Sequence, residues 1–308
     1  MSNKSKQYLS NKIVLWLFVV LAISFNCVQL ETQVQTKSHP QKTLKEVKSW
    51  LYQLQYINLR KVADSDFDLI VTDYAKDGDA STEYRSGQIK NFKAITGKIV
   101  LAYLSIGEAE DYRFYWKSSW KKDPPSWLDK ENENWEGNYK VHYWDPAWQK
   151  IIFSYIDRII DEGFDGVYLD IIDAYDYYQK SRPQAEEEMI DFVSNIAHYC
   201  RVVKGRKNYF IFPQNAPELV TNTRYMQVIS GIGQEETYFR ATDIPSEDTE
   251  YNQKYLDMVQ RAGKLVLSVD YCNKPENIKL AYEKAGQHGY VEYCTVVDLD
   301  KMILNKGE

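Results

Sequence analysis

Two short stretches of the sequence place carboxylic acids directly after apolar runs. GVYLD ends at Asp170, and Asp173 follows three residues later. GIGQEE ends in the adjacent acids Glu235 and Glu236, of which only one can face a given side of a strand. Two carboxylates facing each other across a pocket can cleave a glycosidic bond, because one protonates the departing oxygen and the other attacks the carbon or activates water. We therefore interpret Asp170 and one of the two glutamates as a catalytic pair.

Eight apolar runs of strand length could position such acids. They alternate with segments of helical period, which is typical of a parallel sheet with crossover helices. The runs cover residues 50–55, 67–74, 98–107, 165–171, 209–215, 227–236, 264–271 and 290–297. Eight parallel strands close a TIM-type barrel. We predict an α/β fold in which residues 46–308 form a single (β/α)8 TIM-type barrel.

The segments between these runs carry helix signals and one interruption. In WQKIIFSYIDRIIDEG the apolar residues recur every three to four positions, and Gly163 supplies a C-terminal stop. We predict a long Trp-rich insertion after the third strand, where about forty residues lack this alternation, because loops of that length in a compact barrel are usually functional. A lid packed on itself is the alternative interpretation. Six of the eight tryptophans fall here: Trp116, Trp120, Trp127, Trp135, Trp144 and Trp148.

Polar residues follow several of the predicted strands, at the ends where barrel active sites lie. Each acid taken alone could instead be a solvated or ion-paired carboxylate, and Asp173 could begin the following loop or turn. The coincidence of several polar ends on one rim favours a binding site. We predict substrate contacts from Asp73, Tyr103, Ser105, Glu108, Arg113, Asp173, Asn215, Glu236 and Asp270.

The N-terminus has the order of parts of a secretory signal. Three lysines precede the apolar run IVLWLFVVLAISF, and the sequence then turns polar. We predict a signal peptide or N-terminal anchor in residues 1–27 and a linker in residues 28–45. The protein is expected to be secreted or attached to the cell surface, in the periplasm or outside the cell. Membrane contact would come only through an uncleaved anchor or a lipid on Cys27.

Composition restricts the partners. The formal net charge is -6 and the chain has no basic block, which argues against nucleic acid or an anionic membrane surface and favours a neutral or cationic ligand. The cysteines match no zinc spacing, and none of the four histidines ends an apolar strand. We therefore expect no metal and no cofactor, and we interpret Cys200, Cys272 and Cys294 as buried small side chains.

Four strand ends together resemble a known family. YLSIGEAEDYRFYW, DGVYLDIIDAYDYY, FPQNAPEL and GIGQEETYF are similar to segments of the endo-α-1,4-polygalactosaminidase family of glycoside hydrolases, of family 114 type, in its bacterial and archaeal extracellular branch. The resemblance implies a TIM-type barrel that cleaves polymers like galactosaminogalactan, or related amino-sugar polysaccharides, within the chain. It also implies that Asp170 is the nucleophile and that Glu235, in preference to Glu236, is the acid/base.

Two other classes of function compete with a glycosidase. The first is a catalytically inactive carbohydrate-binding barrel, which the variant Asp170→Asn would distinguish because it would have no activity to lose. The second is a hydrolase of another bond, such as a deacetylase, which usually requires a metal and would respond to a chelator.

Overall fold

The computed structural model describes residues 38–305. The predicted signal or anchor in residues 1–27, Cys27 and the first part of the predicted linker lie outside these residues. The second part of that linker contacts the domain, since the His39 N–H donates to the Ala94 carbonyl and the Lys42 N–H to the Gly97 carbonyl, both at 2.9 Å. Contacts with the folded domain therefore begin before the predicted boundary at residue 46.

The eight predicted strands are present and parallel to their neighbours, which confirms an α/β fold built on a parallel sheet. The strands are β1 Trp50–Tyr52, β2 Leu69–Thr72, β3 Ile99–Ser105, β7 Gly166–Asp170, β8 Phe210–Pro213, β9 Gly231–Glu235, β12 Leu265–Asp270 and β13 Val291–Cys294. The predicted runs extended beyond the observed ends of most strands. Five of the strands form one sheet in the order β1-β2-β3-β7-β8, and three form a second sheet in the order β13-β12-β9.

Backbone contacts connect the two sheets at both sides. Between β8 and β9, Gln214 and Gly233 form an isolated parallel bridge, and the Asn215 N–H donates to the Gly233 carbonyl at 2.9 Å. Between the first and last strands, the Leu54 N–H donates to the Leu299 carbonyl at 2.9 Å. The eight strand ends are thereby brought to one rim.

Helices cover the strands in the predicted alternation. The longest of the described helices spans Pro146–Glu162. Asp145 is its N-cap, and the Asp145 carboxylate accepts the Ala147 N–H at 2.8 Å. Gly163 is its C-cap, in the left-handed conformation with φ 96°. Its apolar positions face the core. The helices are α1 Leu59–Ala63, α2 Gln88–Thr96, α3 Pro146–Glu162, α4 Ala174–Tyr178, α5 Ala185–His198, α6 Thr223–Val228, α7 Thr249–Arg261 and α8 Pro275–His288.

Aromatic side chains fill the space between the strands, and glycines make room for them. Tyr168 of β7 packs on Tyr52 of β1 with ring centroids 5.3 Å apart, and Trp50 donates its indole N–H to the Ser268 carbonyl at 3.2 Å. A Cβ on Gly233 would lie 1.8 Å from the Tyr168 hydroxyl. The GIG sequence at the start of β9 is therefore a packing requirement of this layer.

The Trp-rich segment folds into a small sheet of its own. Strands β4 Glu108–Glu110, β6 Asn138–Val141 and β5 Leu128–Glu131 pair antiparallel in that order. A second short antiparallel pair, β10 Phe239–Arg240 and β11 Ile244–Pro245, follows β9. In the described residues, no helix is both long and apolar enough to cross a bilayer.

Four of the tryptophans connect this small sheet to helix α3. Rings of Trp116, Trp120, Trp127 and Trp148 follow one another with centroid distances of 5.3, 5.1 and 5.0 Å. Trp148 is fully buried, and its indole N–H donates to the Ile106 carbonyl at 2.8 Å. These ring contacts agree with the alternative interpretation of the Trp-rich segment as a lid packed on itself. They also hold this segment in place on the domain.

The variant Trp148→Phe tests this anchor. We expect the free energy of unfolding to fall by about 2 kcal/mol, because the change leaves a void and an unpaired buried carbonyl. Urea denaturation measures it. Trp135→Phe is the matched control, because that ring is 60% exposed, and its effect should stay within about 0.5 kcal/mol. An equal loss in both variants would contradict the anchoring role.

Candidate active site

The side-chain amide of Gln214 holds the two predicted catalytic acids together. Asp170 ends β7, Glu235 ends β9, and Gln214 follows β8 between them. The Gln214 Nε2 group donates to Asp170 Oδ1 at 3.0 Å and to Glu235 Oε2 at 2.5 Å. The two acceptor oxygens can therefore lie no more than about 5.5 Å apart, which is close enough for both acids to act on one carbon centre.

The backbone turns sharply after each of these three strands. Ile171, Asn215 and Glu236 have φ values of 57°, 62° and 53°, in the left-handed region that side-chain-bearing residues seldom occupy. Such strain costs on the order of 1 kcal/mol per residue and is found mainly at functional sites. Here it directs the chain away from the rim immediately after the acids, so Asp170 and Glu235 stay at the end of rigid strands.

Further donors fix the orientation of each carboxylate. The Tyr103 hydroxyl donates to Asp170 Oδ2 at 2.6 Å, and the Tyr271 hydroxyl donates to Glu235 Oε1. Asn215 donates its Nδ2 to Glu235 Oε2 at 3.1 Å and accepts the Glu235 N–H at 3.0 Å. Neither acid can rotate without losing a hydrogen bond.

The protonation of the pair is shared. Burial, followed by the charge of Glu235, raises the pKa of Asp170 to about 8. Burial also raises the pKa of Glu235, although hydrogen bonds from Tyr271 and Asn215 oppose that rise. Interacting acids titrate as a unit, and this unit holds a proton near neutral pH. One acid and one base can therefore coexist here.

The pair lies in a cavity of about 990 Å³ with a strongly acidic lining. Thirteen of the described carboxylic acids line it, against Arg113 and Arg240, and both arginines are paired with carboxylates. A cavity lined by one sign of charge concentrates ligands of the opposite sign. The acids are Asp73, Asp77, Glu108, Glu110, Glu136, Asp170, Asp173, Asp176, Glu218, Glu235, Glu236, Asp248 and Asp298.

Seven of the nine predicted substrate contacts line the cavity: Asp73, Tyr103, Glu108, Arg113, Asp173, Asn215 and Glu236. Arg113 is only 1% exposed in its side chain. Its guanidinium donates to Asp73 at 2.7 Å and makes two bonds to Glu110 at 2.6 and 2.9 Å. With these donors engaged, Arg113 builds the wall and orients Asp73.

Glu108 and Asp173 differ in how open they are. Glu108 is 2% exposed, accepts the Asn132 amide at 2.9 Å and lies 3.5 Å from the Lys140 ammonium. Burial raises its pKa, and the charge of Lys140 opposes the rise. Asp173 is exposed to the cavity at the start of α4, where burial of its carboxyl by the surrounding walls and then Asp176 raise its pKa. Asp173 is therefore the more accessible of these two carboxylates.

Two of the predicted substrate contacts do not line the cavity. The Ser105 hydroxyl donates to the Glu108 carbonyl at 3.0 Å, so it closes the turn between β3 and β4 and does not line the cavity. Asp270 is fully buried, and its Oδ1 accepts the N–H groups of Tyr238 and Phe239, both at 2.7 Å. It anchors the segment after β9 instead of facing the cavity.

Several lining residues were not predicted as contacts. Gln214 and Tyr271 could have been predicted, since both are polar residues at the ends of predicted strands on the rim. Tyr52 ends β1, and an aromatic residue in a buried strand cannot be told from ordinary core by sequence. Among residues 38–305, no group of three or more His, Cys, Asp and Glu side chains is arranged to hold a metal ion.

Comparison with known proteins gives the family. The sequence profile of Glycoside-hydrolase family GH114 matches residues 31–307. The chain belongs to this family. It is a glycoside hydrolase, which cleaves O-glycosyl bonds.

The chain is also similar to a curated relative and to solved structures. An uncharacterised protein of Methanocaldococcus jannaschii is 42% identical over 271 residues, covering 83% of this chain and 78% of the relative. The glycoside hydrolase domain of PelA from Pseudomonas aeruginosa has a TM-score of 0.65 at 18% identity, covering 84% of this GH114 chain and 98% of that one. Aspergillus fumigatus Ega3, solved in complex with galactosamine, has a TM-score of 0.66 at 16% identity, covering 87% and 99%. The two structures share the fold.

The variant Asp270→Asn tests the revised role of Asp270. Burial raises the pKa of this carboxyl to about 6, against its ordinary 3.8 in the unfolded chain. The folded state therefore binds the proton more tightly, and the free energy of unfolding falls as the pH rises from 3.8 to 6. The variant lacks this titrating carboxyl, so its free energy of unfolding should fall by roughly 2 kcal/mol less than that of the parent over this pH range. Urea denaturation across the range measures the difference.

The same variant should keep the KM of the GH114 enzyme within about twofold of the parent, because asparagine still accepts the two backbone N–H bonds and lies outside the cavity. A KM raised tenfold with an unchanged unfolding profile would restore Asp270 as a substrate contact.

Proposed function

We propose that this GH114 enzyme is an extracellular hydrolase that cleaves α-1,4-linked amino-sugar polysaccharides within the chain. Asp170 is the nucleophile and Glu235 the acid/base. The observation that carries the proposal is the carboxylate pair bound by the Gln214 amide inside a cavity lined by thirteen acids. An unacetylated amino sugar carries a positive charge at neutral pH, and this lining attracts such a charge. The galactosamine named with Ega3 supports the same substrate class.

The spacing of the two acids favours a mechanism that retains the anomeric configuration. In the first step, a carboxylate oxygen of Asp170 bonds to the anomeric carbon. The bond to the leaving oxygen breaks, and Glu235 gives that oxygen its proton. In the second step, Glu235 takes a proton from water, and the water oxygen displaces Asp170 from the carbon. Both acids return to their starting states.

Substrate binding must place the shared proton on Glu235. In the ligand-free protein Glu235 accepts more hydrogen bonds than Asp170, which favours the proton on Asp170. Two changes on binding reverse this preference. The cationic sugar and the positive charge that develops at the anomeric carbon stabilise the Asp170 carboxylate, and the leaving oxygen offers a partner for the Glu235 proton.

The size and rim of the cavity support cleavage within a chain. A volume of about 990 Å³ reaches the upper end for small-molecule sites, which leaves room for several sugar units. Trp135 and Tyr251 line it while 60% and 49% exposed, and flat aromatic faces of this kind pack against sugar rings. Asp173 and Glu236 provide carboxylates for amines of neighbouring units.

The proposal includes a closed (β/α)8 barrel and export from the cell. Contacts at both junctions between the sheets support closure: the bridge of Gln214 with Gly233, and the bond from Leu54 to Leu299. The basic and then apolar order of residues 1–27 supports export by a signal peptide or attachment by an anchor.

Substitution of the acids tests the catalytic assignment. Asp170→Asn and Glu235→Gln should each lower kcat/KM on a polygalactosamine substrate by about a thousandfold or more, because each removes one of the two groups that move charge or protons. Asp298→Asn, which lines the same cavity, is the matched control and should change kcat/KM by less than about fivefold.

The first product formed should have the anomeric configuration of the substrate, read by proton NMR before mutarotation. An inverted product would reject Asp170 as nucleophile. Full activity in Asp170→Asn would reject the pair, and release of acetate without chain cleavage would contradict the proposed bond.

The pH dependence of kcat/KM should be bell-shaped, because only the singly protonated pair is active. Above about pH 8 the rate should fall as the proton is lost. Below the acid limb both acids are protonated, and the nucleophile is neutral. Tyr103→Phe removes a donor that lowers the pKa of Asp170, so it should move the alkaline limb to higher pH. An unchanged profile in that variant would contradict the role of Tyr103.

A further inference from the structure

A second cavity of about 430 Å³ opens beside helix α4, between that helix and the small sheet β4-β6-β5. The indole of Trp144 forms part of its wall. The His142 ring stacks on it at 5.0 Å with an interplanar angle of 19°, and the Arg182 guanidinium lies 4.4 Å from its ring centroid. Tyr177 lines the cavity while 44% exposed. Such a wall offers ring faces and edges to a ligand.

The polar groups of this second cavity are only partly engaged. Asp129 accepts the Tyr178 hydroxyl at 3.0 Å, and His142 Nε2 lies 3.9 Å from Asp129 Oδ2, beyond hydrogen-bond distance. Arg182 uses Nε and Nη2 to bind Glu188. The His142 side chain is 35% exposed. An imidazole, a carboxylate and part of a guanidinium can therefore donate to and accept from sugar hydroxyls and amides.

The charge of the second cavity differs from that of the active-site cavity. Its lining contains one acid, Asp129, and one arginine, Arg182, among the described residues. The ammonium groups of Lys130 and Lys140 lie 5.6 and 4.8 Å from the Tyr177 ring centroid. A positively charged sugar would gain little here and would meet those lysines. An uncharged sugar meets no such penalty.

The two cavities are neighbours along one short helix. Asp176 lines the active-site cavity, whereas the next residue, Tyr177, lines the second. Lys140 connects them as well, since it pairs with Glu108 in the active-site cavity and lies over the Tyr177 ring. A chain that leaves the active site across α4 would therefore reach the second cavity within a few sugar units.

We propose that the second cavity binds an uncharged sugar unit, such as an N-acetylated hexosamine, of the polymer whose cationic units bind in the active-site cavity. The identity of the polymer rests on the proposed function. This site would align a partly acetylated chain and would raise affinity for polymers over short oligosaccharides.

Histidine NMR tests this site directly, because the sequence has four histidines and, in the described part of the chain, only His142 lines either of these two cavities. The Asp170→Asn variant is titrated with a trimer of N-acetylgalactosamine and, separately, with the deacetylated trimer. The imidazole Hε1 signal of His142, assigned with His142→Gln, should shift with the acetylated trimer alone. The signals of His39, His198 and His288 should stay unchanged.

Substitution of the exposed ring gives the second measurement. Tyr177→Ala should weaken binding of the acetylated trimer by roughly five- to tenfold, because a stacking ring is lost. Tyr56→Ala is the matched control, since Tyr56 is 70% exposed and lines neither cavity. The proposal is overturned if His142 does not shift, if the deacetylated trimer shifts it equally, or if the two tyrosine variants behave alike.

The polymer assay separates this proposal from the proposed function. With Tyr177→Ala, KM for a partly acetylated polymer should rise while kcat on a short deacetylated oligosaccharide stays that of the parent. Absence of cleavage of any amino-sugar polymer, together with a shift of His142, would reject the proposed function and retain the second site. Cleavage by the parent without a shift of His142 would reject the second site alone.

Discussion

One amide group sets the geometry on which the site depends. Gln214 donates to Asp170 and Glu235 together, so the strand that carries it must lie between the strands that end in the two acids. The amide carries no charge, and it holds the two acids close without neutralising either. The pair keeps a proton for that reason, where a bridging arginine or lysine would have favoured loss of the proton from both acids. The spacing of the two acids therefore depends on the strand order, and their shared proton depends on the neutral charge of the bridging amide.

Polar donors and strained backbone residues surround that pair on the rim. Tyrosines donate to each acid from β3 and from the end of β12, and left-handed residues turn the chain away after each strand. The buried Arg113 cluster stiffens one wall of the cavity. In the proposed function, the acidic lining selects the charge of the ligand and the aromatic rim contacts its ring surface.

Sequence patterns predicted those features whose cause is local. Apolar runs located the eight strands, and the acids at the ends of GVYLD and GIGQE stood out because buried strands need no such endings. Patterns did not show which way a polar side chain at a strand end would turn. Asp270 accepts two backbone N–H groups that are distant in sequence. Ser105 donates to a carbonyl that only the turn brings near. The second cavity combines segments 129, 142–144 and 177–182, so no single stretch predicted it.

The contact between the first strand and the last ones has a consequence for biosynthesis. Trp50 bonds to the carbonyl of Ser268, and Leu54 to that of Leu299, so the first strand and the segment after it find these partners among residues synthesised more than two hundred positions later. Until then, β1 has only one neighbouring strand, and the aromatic layer remains open on one side. Contacts this distant in sequence slow folding and leave an apolar edge uncovered during synthesis.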